Sequence, residues 1–193
     1  MPILVNREER RAEVVALAFE LVADRGVEAL TFREIAAVAG CSTSIVSHYF
    51  GNKNELLFSV YQVANQRATE RLQATRDAGA PLLACFETIL PVTDEARQNW
   101  RVWLAFWARA HLDPVYFEER RRAAQTSLGL YRAMIAEHLG GQAKDAHIDL
   151  AAQRLIAAIA GIGLEACFAP DDWTPERIGE VLRAELESLG ITA

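Results

Sequence analysis

Thr43, Ser44, Ser47 and His48 bring hydroxyl and imidazole groups together within six positions. Short polar groups of this kind hydrogen-bond base edges when a helix presents them to the DNA major groove. Ile45 could face either way, and outward its methyl groups would pack on thymine; Val46 is the apolar residue that would anchor such a helix. Flanking residues offer phosphate contacts: Thr31 and Arg33 on one side, Tyr49 and Lys53 on the other. Phosphate contacts set register, and base contacts read sequence. A second cluster lies further on. Trp100, Trp103 and Trp107 fall at i, i+3 and i+7, so three of the four tryptophans share one helical stripe. The stripe reads either as a bulky core or as the wall of a cavity. Ring faces attract cations, quaternary ammonium groups among them, and each indole N–H seeks a polar partner. Phe106 and Tyr131 join the three tryptophans as candidate ligand contacts.

These groups need helices to hold them. A first helix is expected over about 7–24, with Val14, Leu17, Ala18, Leu21 and Val22 on one stripe and Gly26 as its terminator. Thr31 with Glu34 forms a capping box for a second helix, and Leu30 with Ile35 forms its hydrophobic staple. Phe32, Ile35, Ala36 and Ala39 should face inward. Gly40 and Cys41 then lead to Ser42, an N-cap for a short third helix over 43–49. Two short helices across a tight glycine turn make a helix-turn-helix. Phe50 and Gly51 break the third helix. Asn52 and Glu55 open a fourth, with Leu56, Leu57, Val60 and Tyr61 on its buried side. The cluster Asp77-Ala78-Gly79-Ala80-Pro81 is a strong breaker and a candidate domain boundary. Later helices are expected between Pro91, Pro114, Gly140-Gly141 and Pro170, with Thr174 and Pro175 opening the last. The expectation is an all-α fold of about nine helices, with no convincing strand alternation.

Composition narrows the function classes. The 193 residues are 51% hydrophobic, enough for a substantial core and unlike a disordered chain. The sequence reading finds no apolar run of membrane-span length, and the first eleven residues turn charged too soon for a signal core. A cytoplasmic protein with no membrane partner is expected. Cys41, Cys85 and Cys167 are widely spaced and lack a CxxC pair, which fits small buried hydrophobes in a reducing compartment rather than a disulfide framework or zinc site. No phosphate-binding glycine loop, GxSxG elbow or HExxH pair occurs. His111 with Asp113 and His147 with Asp149 read as solvated pairs. No catalytic residue, metal site or cofactor is therefore expected. The net charge is −6, and residues 1–60 hold six basic against eight acidic residues. DNA binding would have to rest on where the charges sit rather than on their sum. The run Glu118-Glu119-Arg120-Arg121-Arg122 reads as an exposed salt-bridged face, with the mouth of a pocket as its alternative.

The stretch Leu30-Thr31-Phe32-Arg33-Glu34-Ile35-Ala36, then Gly40-Cys41-Ser42-Thr43, His48-Tyr49-Phe50 and Lys53-Asn54-Glu55-Leu56-Leu57, resembles the TetR family of repressors across about residues 7–60. The resemblance implies a DNA-binding domain here, with a ligand pocket and a dimer interface in the remaining helices. It carries DNA contact onto Arg33, Thr43, Ser44, Ser47, His48, Tyr49 and Lys53; at Ser47 the family often has a larger aromatic residue. Thr31 and Ser42 complete the candidate DNA-binding set. The phrase Arg101-Val102-Trp103-Leu104-Ala105-Phe106-Trp107-Ala108 resembles the C-terminal domain of BetI-like repressors, which respond to choline-related compounds. The likeness extends to residues 155–161, but where those relatives tend to carry Asp-Gly-Leu-Trp-Leu-Arg this chain has Ala160-Gly161-Ile162-Gly163-Leu164-Glu165.

Two helices over about 148–168 and 175–189 are rich in Ala, Gly, Leu and Ile. Leu155, Ile159 and Ile162 form an apolar stripe, and Ala158, Gly161 and Gly163 permit close helix approach. The pattern fits a two-fold interface, as the resemblance implies, or an ordinary core. Asp113 and Glu165 are candidate countercharges for a cationic ligand. The expected organisation is a helix-turn-helix domain at 1–52 and a ligand-binding and dimerisation domain at 53–193. The expected function is that of a repressor. It would bind a palindromic operator in double-stranded DNA as a homodimer and be released by a small-molecule effector in an aromatic pocket, with a cationic or choline-related compound as the candidate. The alternative is a helical ligand-binding protein or enzyme that does not bind DNA.

Overall fold

The computed structural model describes residues 7–140 and 143–191. Among them are nine α-helices and no strand: α1 (Arg7–Arg25), α2 (Phe32–Val38), α3 (Thr43–Tyr49), α4 (Lys53–Asp77), α5 (Leu82–Glu87), α6 (Asp94–Ala110), α7 (Pro114–His138), α8 (Asp145–Phe168) and α9 (Pro175–Ser188), with a 3-10 turn at Val27–Ala29. The all-α expectation is met. Gly141, expected to bound a helix, falls outside the described residues.

Local chemistry sets most of the helix ends. The Glu34 N–H donates to Thr31 Oγ1 at 3.1 Å, and the Glu55 N–H to Asn52 Oδ1 at 3.0 Å. The Glu55 carboxylate reaches back to accept from the Gly51 N–H at 2.8 Å. Thr93, Asp113 and Thr174 cap α6, α7 and α9 in the same way, each satisfying a free N–H of the first turn. Ser42 sits at the N-cap of α3 but does not cap it. Its hydroxyl pairs with Ser44 Oγ at 2.7 Å, a local bond that competes with the backbone N–H. Gly26 and Gly40 stop α1 and α2 at φ of 76° and 61°, a left-handed backbone that costs glycine nothing.

The three N-terminal helices pack around Leu30, Ile35, Val46 and Phe50, all fully buried. α4 then carries the chain out of this unit. It lies against α1, α5 and α6, while α6 also packs on α1. The buried apolar residues form one continuous cluster from Val14 to Ile191. Polar contacts reinforce the junction: Gln98 Nε2 donates to Glu20 at 3.2 Å, and the Arg67 guanidinium lies 4.2 Å over the Phe19 ring.

α8 packs against α7, α9 and α6. Leu155, Ile159 and Ile162 all face inward, so the stripe noted in the sequence is core rather than interface. Gly163 is buried because the Trp100 indole lies on it; a Cβ there would meet the ring at 2.0 Å. The opposite face of α8 is apolar too. Leu150, Ala157, Gly161, Leu164 and Phe168 are exposed, with Phe168 77% accessible. Being apolar on both sides, α8 is long and apolar enough by length and composition to cross a membrane, with a mean hydropathy of 1.4. This departs from the sequence reading that no such segment exists. A core helix of a soluble protein meets the same criterion.

Candidate DNA-reading helix and aromatic cavity

α3 owes its position to one residue. Val46 is fully buried against the support helices, while Thr43, Ser44, Ile45, Ser47 and His48 around it are exposed. Burying a valine side chain is worth about 1.5–3 kcal/mol, which holds a two-turn helix that would not persist alone. The exposed face is polar apart from Ile45. Ser47 Oγ donates to the Ser44 carbonyl at 3.1 Å, and the His48 ring meets Tyr49 edge to face at 5.4 Å. Ile45 faces outward at 40% exposure, which resolves its orientation.

The flanking candidates surround this face. Thr31 and Arg33 are exposed on the first turn of α2, and Ser42 is exposed before α3. Tyr49 is half-buried. Lys53 opens α4, where free backbone N–H groups favour an anion. Its Nζ lies 4.0 Å from the exposed Glu28 carboxylate. Arg11, which the sequence reading did not place in the site, lies 4.8 Å over the Phe50 ring and donates to Ser59 at 2.9 Å.

The tryptophan stripe lines one cavity of about 270 Å³ between α4, α6, α7 and α8. Trp100, Trp103, Trp107 and Tyr131 all face it. Phe106 does not: it points the other way and stacks on Tyr61 at 3.9 Å with planes 7° apart. The stripe is thus partly core and partly wall. Trp100 and Phe106 are fully buried, Trp103 nearly so, and Trp107 half-buried. Trp103 and Trp107 lie parallel with centroids 6.3 Å apart, and Trp100 meets both edge to face. Every indole N–H is already engaged: Trp100 with the Ile89 carbonyl at 2.7 Å, Trp103 with Asn65 Oδ1 at 2.9 Å, and Trp107 with Tyr61 Oη at 3.5 Å. Ring faces, not N–H groups, are what the tryptophans offer a ligand.

Sequence reasoning missed Tyr61 and Asn65 as wall residues, because their own helix showed only an apolar period. It left Glu119, Arg120 and Arg122 as an alternative, and all three line the cavity. Neither candidate countercharge lines it. Asp113 caps α7 through the Val115 N–H, and Glu165 is exposed on α8. Burial pushes the Tyr61 and Tyr131 hydroxyls above their usual range, so both stay protonated donors at neutral pH. His147 is exposed, and its neighbour Asp149 pairs with Arg132. Among the described residues no cluster of potential metal ligands occurs.

A polar helix mounted on a helical body that carries an aromatic cavity fits a helix-turn-helix regulator with a ligand-sensing domain. Comparisons with known proteins agree. Residues 14–60 match the bacterial regulatory proteins of the tetR family, and residues 78–190 match the C-terminal domain of BetI-type transcriptional repressors. The chain belongs to the TetR family of ligand-responsive transcriptional regulators, which are not enzymes. It is 27% identical over 193 residues to the regulator PksA of Bacillus subtilis, covering 98% of this chain and 94% of that one. It is 30% identical over 174 residues to the regulator BetI of Burkholderia thailandensis, covering 88% and 87%. Among solved structures, a Rhodococcus transcriptional regulator superposes with a TM-score of 0.81 at 26% identity, covering 93% of this chain and 95% of that one. A Saccharomonospora viridis regulator solved with choline has the same fold, with a TM-score of 0.82 at 23% identity over 93% and 96% of the two chains.

Proposed function

We propose that this chain is a dimeric repressor in which α3 reads operator DNA in the major groove and the tryptophan-lined cavity holds the effector. The observation that carries this reading is the burial of Val46 beneath an exposed face of Thr43, Ser44, Ser47 and His48. Those four side chains and Ile45 reach base edges. Thr31, Arg33, Ser42, Tyr49 and Lys53 hold the phosphates on either side. Residues 1–52 form the DNA-binding unit and residues 53–193 the sensing and dimerisation unit, with α4 as the shared element. The protein acts in the cytoplasm, where its operator lies.

The exposed seam of α8 supports the dimer. Leu150, Arg154, Ala157, Gly161, Leu164 and Phe168 alternate at four and three residues, the period of helices that pack at a shallow angle. Gly161 has open space beside it, so a partner helix can approach closely. A two-fold dimer about such a seam would pair two α3 helices, as a palindromic operator requires.

Fluorescence anisotropy tests the reading, using the full chain, duplex from upstream of its own gene, and a series of salt concentrations. The wild type binds with a steep inverse dependence on salt. Lys53→Ala weakens binding evenly across sequences and flattens the salt slope by about 1, the value for one lost phosphate contact. Salt-independent binding, or binding unaffected by changes on α3, contradicts the assignment.

A further inference from the structure

The run of charges on α7 has an odd cation. Pairing at i, i+3 joins Glu118 to Arg121 at 2.7 Å and Glu119 to Arg122 at 2.6 Å. Arg120 is left over. Among the described residues it has no ion-pair partner, and its guanidinium lies 4.5 Å over the Trp107 ring in the cavity wall. A guanidinium seated on an indole is partly dehydrated yet keeps its edge N–H groups free in a planar fork.

Three features then bear on what the cavity accepts. The charged residues in its wall are Glu119, Arg120 and Arg122, and the one carboxylate is already neutralised by Arg122, which leaves a net positive charge. The Trp107 ring, half-buried and the most open of the three, already carries a cation, so an incoming ammonium group would meet like charge there. Tyr131 is 96% buried, and it brings its hydroxyl to the lining of the same space. Burial keeps that hydroxyl protonated, so it donates.

The geometry points to an organic anion as the effector: a compact apolar body against Trp100, Trp103 and Ile159, with a carboxylate held by Arg120. This rests on the reading of the cavity as the effector site and adds the charge class of its occupant. A carboxylate matches the fork of Arg120, where a charge-assisted pair forms in a partly desolvated setting. The apolar body replaces water on the indole faces, whose N–H groups are already taken.

Isothermal titration calorimetry on the full chain tests the inference with three probes: 2-naphthoate, its neutral amide 2-naphthamide, and choline. Each is titrated into the wild type, Arg120→Gln and Glu119→Gln. Both substitutions lie on a partly exposed face of α7, and circular dichroism confirms that the variants fold. The wild type binds naphthoate more tightly than naphthamide or choline. Arg120→Gln weakens naphthoate about tenfold or more, as loss of a charged hydrogen bond does, and weakens naphthamide, whose carbonyl accepts only a neutral-type bond, much less. Glu119→Gln frees Arg122 and tightens naphthoate. Reversed signs overturn the inference but keep the site: choline binding best, strengthened by Arg120→Gln and lost in Glu119→Gln, makes the cavity a cation cage. Silence from all three probes, in heat and in tryptophan fluorescence, removes the effector site and the inference together.

Discussion

Single residues decide how each site is held. Val46 joins α3 to its supports, so Val46→Ala should lower stability by about 1–3 kcal/mol through lost burial and a residual cavity, measured by urea denaturation. DNA affinity should fall with it. Lys53 shows a different control. Its partner Glu28 is 88% exposed at its side chain and lies at the outer limit of ion-pair distance, beyond hydrogen-bond range, so the pair adds little to folding. It does place an acid where phosphate is expected. Glu28→Gln is expected to tighten DNA binding severalfold at low salt, read by anisotropy, with no change in melting temperature. Gly163 is the third case. A methyl group at this position would lie 2.0 Å from the Trp100 ring, and the fully buried indole has little room to move. Gly163→Ala should destabilise by about 1–3 kcal/mol as overpacking does and should alter the near-ultraviolet tryptophan signal. The need for glycine there could not be read from one sequence. It depends on a contact between residues 63 positions apart, and Gly163 looked like any other small residue suited to helix approach.

At the level of elements, legibility followed the range of the forces involved. Caps act over three residues, and Thr31, Asn52 and Thr174 were identifiable as caps from neighbours alone. The bounds of α3 followed from Gly40, Ser42 and Phe50 in the same way. Ser42 was the exception, because a side-chain bond to Ser44 outcompeted the cap. α8 shows where pattern runs out. It is apolar on two faces, so periodicity could not say which faces the core and which the solvent. The structure puts Leu155, Ile159 and Ile162 inside and leaves the Leu150 to Phe168 seam outside. An uncovered apolar surface of that kind is the mark of a contact site. Leu164→Glu with Phe168→Glu should therefore convert the dimer to a monomer in light scattering while circular dichroism stays helical. The double variant should also lose most of its operator affinity, since two half-sites then bind independently. A dimer that survives both charges places the interface elsewhere.

On the scale of the whole molecule, sensing and reading are joined through one core. Tyr61 in the cavity wall belongs to α4, whose first residue is Lys53. Tyr61 stacks on Phe106, which meets Phe58, and Phe58 lies 4.6 Å from Tyr116 at the start of α7. On the proposed reading, an effector that displaces Tyr61 or Asn65 would act on the helix that Lys53 opens, the edge of the proposed DNA-binding unit. The effector releases DNA only to the extent that it prefers one dimer spacing over the other, and the coupling is reciprocal. Operator DNA should weaken effector binding by the same factor by which effector weakens operator binding. The net charge does not favour DNA even within residues 1–60, which hold eight acidic against six basic residues, so the attraction has to come from the placement of a few groups such as Arg33 and Lys53. The central claim is that a symmetric pair of α3 helices reads base sequence. Selection of bound duplexes from a random DNA library tests it most directly. The account predicts enrichment of a palindrome whose half-sites are separated by about 10–10.5 base pairs or a multiple of that spacing. Enrichment of one unpaired half-site, or no enrichment at all, would contradict it.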